Sequence, residues 1–309
     1  MNLTPIISKT GIYFILTLIF GFIWIIIAKR YKIEEICDLS RYKKPIKKNF
    51  KLKNGTTTLG GIIILITLLI FTINNKINLY FTIAFIATIL FLFGSLDDLA
   101  KIKNKQNFGL SWTKKLALQT IAGGVFCTIF YFSVSKSIPY FLFNIIFFVF
   151  FVNSVNIADG LNGLAIGNYI IILSFMITAL YHYNNSLLIN FSVILLSSCF
   201  AFLLFNFPKA KIFLGDAGAS MLGGIIAMIA IIGKIKIILC FAGLFFILEG
   251  LSSFTQILSK KYLKRKILPI APIHHYYINH GVNERKIVIL SWFFTIIIGI
   301  ISLLIFKII

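Results

Sequence analysis

The chain has 309 residues, of which 59% are hydrophobic and 16% aromatic, and its mean hydropathy is +0.96. These values exclude an ordinary soluble domain, and the length suits a single integral-membrane domain, residues 1–309, with about ten spans joined by short loops. The formal charge is +21, yet the basic residues are spread unevenly, which excludes a simple nucleic-acid-binding role.

From the N-terminus, Lys9 precedes an apolar run from about Ile12 to Ala28. Lys29 and Arg30 follow it directly, with no small-residue cleavage site. This pattern predicts a retained first span rather than a signal peptide. Further apolar runs lie near 59–73, 79–96, 115–133, 140–156, 164–181, 187–206, 217–232, 237–258 and 287–306. Several are short for a span, which predicts tilt or partial burial. Cys37, Cys127, Cys199 and Cys240 are scattered without a CxxC pair, so neither a disulfide nor a thiolate metal site is expected. No internal repeat is visible, which argues against a transporter built from inverted repeats.

Lys and Arg alternate sharply between the loops. Segments 29–58, 97–115, 157–163, 207–216 and 259–286 together hold 24 of the 30. The positive-inside rule puts these five segments in the cytoplasm and both termini on the extracytoplasmic side. Basic clusters at 41–53 and 260–266 suit anionic lipid headgroups, or act only as topology determinants. Eight of the nine acids share the same predicted side: Glu34, Glu35, Asp38, Asp97, Asp98, Asp159, Asp216 and Glu284. Glu249 alone falls within a span. Carboxylates gathered at one membrane face suggest a site for a divalent metal and a phosphorylated substrate.

Four constellations carry chemistry. Asp97-Asp98 ends the third run, with Lys101 on the same helical face. Two adjacent carboxylates repel, and a metal ion or lysine relieves them; a solvated helix end is the plainer reading. Asn153 to Gly163 offers amides, Asp159 and two glycines between two spans, suiting a polar ligand or a tight capped turn. Asp216 opens a span after Phe213-Leu214-Gly215, as a magnesium ligand beside a phosphate-favouring helix start or as an N-cap. His274-His275 follows Ala271-Pro272-Ile273; without further ligands at suitable spacing, phosphate contact or proton transfer fits better than zinc.

With these motifs in place, the chain resembles the polyprenyl-phosphate N-acetylhexosamine-1-phosphate transferases from the first span to the C-terminus. Asn54-Gly55-Thr56-Thr57-Thr58-Leu59-Gly60-Gly61 is similar to the family's KGTPTMGG, and Asp97-Asp98 with Lys101 to its DDxxK. Asn153 to Ala165 resembles NAVNLTDGLDGLA, Phe213 to Asp216 resembles F(M/L)GD, and Glu249-Gly250-Leu251-Ser252 resembles ETLS. Ala271 to His275 matches APIHHH, the stretch that marks the branch using a UDP-MurNAc-pentapeptide donor. The departures are Tyr276 for the third histidine, Ile278 for the acid of HHHFE, Thr57 for the proline of KGTPTMGG, Asn54 for its lysine (Lys53 is adjacent), and Asn162 for the second acid of TDGLDG.

The resemblance implies transfer of phospho-MurNAc-pentapeptide from UDP-MurNAc-pentapeptide to undecaprenyl phosphate, with Mg²⁺ as cofactor, in the bacterial cytoplasmic membrane. The active site would face the cytoplasm, and the protein would be a homodimer among membrane lipids, with no nucleic-acid partner. Within that reading Asp216 is the Mg²⁺ ligand, and Asp97 and Asp98 are acceptor-side carboxylates. Lys101, Lys115, His274 and His275 contact phosphates. Asn156, Asp159, Asn206 and Phe213 hold the uridine, and Thr58 belongs to the substrate site. Asp97, Asp98, Asp159, Asp216 and His274 are expected in one cleft. Two rival readings are the same chemistry with a UDP-GlcNAc donor, and a cation transporter or channel with acids deep in several spans.

Overall fold

The computed structural model describes residues 4–35, 55–104, 109–134 and 137–308. Cys37, Asp38, the basic cluster 41–53 and Asn54 lie outside the described residues. Twelve helices are present among the described residues: α1 (Thr4–Arg30), α2 (Gly61–Asn75), α3 (Asn78–Asn104), α4 (Trp112–Val134), α5 (Ile138–Ala158), α6 (Leu164–His182), α7 (Ser186–Asn206), α8 (Gly215–Ile232), α9 (Lys236–Ala242), α10 (Leu244–Tyr262), α11 (Ile273–Asn279) and α12 (Glu284–Ile305). No strand is present among them, only isolated bridges joining Glu34 to Thr57 and Thr57 to Ile212.

Local sequence explains several helix starts. Pro139 sits in the first turn of α5, where its missing N–H costs nothing. The Asn185 side chain accepts from Leu188 N at 3.2 Å to open α7, and Asn283 accepts from Arg285 N at 2.9 Å to open α12.

All ten predicted apolar runs fall on helices. Seven helices are long and apolar enough to cross a membrane; α9 and α10 would make an eighth as a pair bent by 78° at Gly243, and α2 is a shorter apolar helix. The ninth predicted run is therefore not one straight rod. Large exposed hydrophobics such as Phe22, Ile26, Ile146, Leu204 and Phe293 point outward, as lipid-facing helices require.

Helix α8 is the hub, with every residue from Ala217 to Ile231 buried. It packs most heavily on α3 and α5. Small residues bring the backbones together: Gly61 lies against Gly218, Gly94 against Ala217, and Gly223 against the Phe151–Val152 backbone. Close backbone approach through small residues is how membrane helices associate without a hydrophobic driving force. Polar bonds add to it between α6 and α12, where Asn168 Nδ2 donates to Ser291 Oγ at 2.9 Å and Thr295 Oγ1 donates to Asn168 Oδ1 at 2.6 Å.

The connections divide between the two ends of the bundle. At one end the chain after α1 pairs with 55–58, through Thr58 N to Ile33 O at 3.2 Å, and 55–58 pairs in turn with 211–214, through Phe213 N to Thr57 O at 2.7 Å. At the same end Asn162 N donates to Glu284 Oε1 at 2.8 Å, and Leu110 N to Asp97 Oδ1 at 2.6 Å. At the other end Tyr13 packs on Phe71 near the N-terminus, Tyr80 OH donates to Leu187 O, and Phe306 packs on Phe241 near the C-terminus.

Candidate active site

The centre of the first end is built by α3, α4 and the start of α8. Asp97 and Asp98 project from the last turns of α3, and Asp216 stands in the first turn of α8. Their oxygens lie within 4.8 Å of one another. Two lysines neutralise them in part. Lys101 Nζ is 2.9 Å from Asp97 Oδ2 and 2.9 Å from Asp216 Oδ2, and Lys115 Nζ is 2.8 Å and 2.6 Å from the same two atoms. Lys101 is also 4.0 Å from Asp98 Oδ1. Three carboxylates against two ammonium groups leave a formal charge of −1 in a partly buried place, a field that favours a cation.

The three acids are not equivalent. The Asp97 and Asp98 side chains are 1% and 4% exposed, whereas that of Asp216 is 22% exposed, so Asp216 is the one a ligand reaches. Asp98 is occupied with the protein itself. Its Oδ1 accepts from Asp216 N and its Oδ2 from Ala217 N, each at 3.1 Å. This corrects the N-cap alternative for Asp216. The cap position of α8 is Leu214, which makes no side-chain cap bond. The orphan N–H groups are taken by a carboxylate from another helix, which also suits the positive end of the helix dipole. Gly215 is required beside it: φ is +76°, and a Cβ there would stand 2.7 Å from Asp98 Oδ2.

Other predicted residues surround this centre at different removes. Asn156 Nδ2 donates to Asp216 O and to Ser220 Oγ, both at 3.4 Å. Asp97, Lys115, Gln119, Asp216 and Ser220 line a narrow cavity between α3, α4 and α8; Gln119 and Ser220 were not anticipated, being single polar residues within apolar runs. Thr58 is buried, and its Oγ1 has no hydrogen-bond partner among the described residues. Phe213 is half-buried, with its backbone pairing to Thr57 and Gly60. Asp159 ends α5, its N–H bonded to Asn156 O at 3.2 Å. Asn206 is placed differently from the uridine role. It is buried, its Oδ1 accepts from Gly163 N at 2.8 Å, and its Nδ2 donates to Ile212 O at 2.9 Å. Both ends of that amide clasp the 159–163 and 207–214 loops, which shapes the site rather than offering a free edge to a base.

The histidines form a second group. His274 is buried and held by Glu249, and its ring lies 4.4 Å from that of His275. Glu249 and His274 stand at the polar end of an apolar groove of about 330 Å³ lined by Phe245, Leu248, Tyr277, Leu290 and Phe294. Tyr276 faces His280, with ring centroids 4.1 Å apart. Ile278 is buried in a small apolar cluster with Leu161, Leu164 and Val288, where an acid would be costly. The pairing of Glu249 with His274 is the contact least visible in the sequence; its one signal is that Glu249 is the single acid inside a span.

Fold and site together define an all-helical membrane protein with a carboxylate–lysine centre suited to phosphorylated substrates. A profile described as Glycosyl transferase family 4 matches residues 80–234, the stretch that holds Asp97, Asp98, Lys101, Lys115 and Asp216. Proteins named phospho-N-acetylmuramoyl-pentapeptide-transferase are similar over most of their length. The one from Latilactobacillus sakei is 33% identical over 273 residues, covering 82% of this chain and 85% of its own. That from Dictyoglomus turgidum is 36% identical over 262 residues (79% and 80%), and that from Anoxybacillus flavithermus 32% over 312 residues (94% and 95%). The chain belongs to the phospho-N-acetylmuramoyl-pentapeptide-transferase family.

Proposed function

We propose that this chain transfers phospho-MurNAc-pentapeptide from UDP-MurNAc-pentapeptide to undecaprenyl phosphate, giving lipid I and UMP for peptidoglycan synthesis. The observation that carries the reading is the solvent-reachable Asp216 carboxylate, flanked by two buried acids and two lysines at one end of a membrane bundle. One substrate lives in the bilayer and the other in the cytoplasm, so the chemistry belongs at the cytoplasmic interface of the bacterial inner membrane. The topology in the proposal is ten crossings with both termini outside, and the active form is a homodimer.

The donor set fits Mg²⁺: hard carboxylate oxygens, close enough to share one ion, with no sulfur or imidazole among them. Asp216 would hold it, with Asp97 beside it. When bound, Mg²⁺ offsets the negative charge of the diphosphate and stabilises the leaving UMP. Lys101 and Lys115 contact the phosphates, exchanging part of their pairing with Asp97 and Asp216 for phosphate oxygens. The Leu110 N–H holds Asp97 in place, and Asp98 holds the start of α8, so Asp216 is fixed in position before substrate arrives. The attacking phosphate is ionised near neutral pH and needs no general base. Asn156, Asp159 and Phe213 receive the uridine, and Thr58 offers a hydroxyl. The apolar groove beside His274 suits the prenyl chain of the acceptor.

The deciding experiment is UMP release by purified protein with undecaprenyl phosphate and Mg²⁺, comparing UDP-MurNAc-pentapeptide with UDP-GlcNAc. Release with the first donor alone, lost on adding EDTA and restored by Mg²⁺, is expected. Release with UDP-GlcNAc alone would transfer the chain to the GlcNAc-1-phosphate reading, and release with neither would overturn both. The ion-path reading gains nothing from the structure, because the one deep acid among the described residues is bound to His274.

A further inference from the structure

Glu249 lies inside α10 and is 1% exposed. A lone carboxylate in that setting is expensive and persists only with partners. Both of its oxygens go to one residue. Oε1 accepts from His274 N at 3.1 Å, and Oε2 lies 3.0 Å from His274 Nδ1. A carboxylate oxygen only accepts, so Nδ1 must carry the proton of this contact, and the ring is fixed in both rotation and protonation at that atom. The other nitrogen, Nε2, is buried and has no hydrogen-bond partner among the described residues. It is packed against Gly160, where a Cβ would collide with it. Gly160 directly follows Asp159, in the loop that Asn206 clasps through Gly163.

We propose that Glu249 is a positioning residue: it commits His274 Nδ1 to its own carboxylate and so presents Nε2, beside Gly160, as a hydrogen-bond acceptor for a hydroxyl or N–H group of the nucleotide substrate. The inference rests on the reading above for the identity of that substrate. The proton held on Nδ1 leaves Nε2 as the free position. In that tautomer Nε2 carries the lone pair of the ring and acts as an acceptor. The second, unused nitrogen is what separates this arrangement from a purely structural buried pair, which would satisfy both ring nitrogens. Glutamine at 249 keeps the shape, but its amide N–H₂ can donate to Nδ1 and reverse the tautomer.

The test combines kinetics with nitrogen spectra of ¹⁵N-histidine-labelled protein in detergent. Glu249→Gln should lower kcat/KM for UMP release by at least about tenfold. It should also move the His274 ring proton from Nδ1 to Nε2. In a His274→Gln background the same change should cost less than about twofold more, because Glu249 acts through His274. Gly160→Ala, which leaves Glu249 untouched, should displace the ring and give a loss of the same order, again absent when His274 is glutamine; this variant decides the matter if Glu249→Gln does not fold. Independent, multiplying losses in the double variants, wild-type kinetics in folded Gly160→Ala, or an unprotonated Nδ1 in the wild type would each overturn the proposal. A wild-type protein that releases no UMP would overturn the assigned reaction instead, while the nitrogen spectra still decide the role of Glu249.

Discussion

Asp98 and Asp216 differ in what their carboxylates touch, and the difference separates two kinds of loss. Asp216 bonds to lysines and faces the opening, so Asp216→Asn removes charge without removing a structural bond to the backbone. UMP release should fall by roughly a hundredfold or more, about 2.7 kcal/mol of transition-state stabilisation, with the melting temperature in detergent nearly unchanged. Asp98→Asn places an amide N–H₂ against one of two backbone N–H groups at the start of α8. Losing a charged acceptor there costs roughly 1.5–3 kcal/mol, so both the melting temperature and the rate should drop; a drop in rate alone would mean that Asp98 touches substrate. Tyr276 faces His280 rather than the acids, and Tyr276→His should change turnover by less than about tenfold, or 1.4 kcal/mol, in the same UMP assay. The acid trio and its lysines were legible because adjacent carboxylates at a helix end advertise a charge problem. The uses of Asp98 and Asn206 were not legible, because each bonds to backbone more than 40 residues away or across a loop whose path no local pattern encodes.

Among the elements, apolar run length marked every long helix, but it could not show where a run bends. The run at 237–258 is uniformly apolar through Gly243, and only packing turns α10 by 78° from α9. Composition alone also hides which face of α10 is inside. Glu249, Ser252, Ser253, Gln256 and Ser259 are buried, while Leu251, Phe254 and Ile257 are exposed, the reverse of a soluble amphipathic helix and the arrangement lipid selects. The α6–α12 contact is likewise polar at its centre. Asn168→Ala removes both its bond to Ser291 and that from Thr295. Interhelical bonds in membranes average about 0.6 kcal/mol each, so a loss near 1 kcal/mol is expected in reversible unfolding in mixed micelles. A loss above about 3 kcal/mol would mean that the network also sets the register of α12.

On the scale of the whole molecule, the charge rule and the contacts agree on how the chain is divided. The segments predicted for one side meet one another physically: Glu34 pairs with Thr57, Thr57 with Ile212, Asn162 with Glu284, and Gly160 abuts His274. Tyr13 of α1 and Phe306 at the end of α12 lie at the opposite end of the bundle, packed on Phe71 and Phe241. Helix contacts cannot tell which end faces the cytoplasm, because turning the molecule over leaves every contact the same. The asymmetry of Lys and Arg in the sequence breaks that tie, with 24 of 30 in the five segments assigned to one side. The prediction is tested with single cysteines placed in a variant whose four native cysteines are alanine. Tyr183→Cys lies between α6 and α7, is exposed, and should react with a membrane-impermeant maleimide in intact spheroplasts. Lys209→Cys, exposed in the loop after α7, should react only after the membrane is opened. The reverse pattern would put the acid trio outside, where neither a nucleotide donor nor Mg²⁺-assisted phosphoryl transfer from it is available, and the proposed reaction would fall together with the topology.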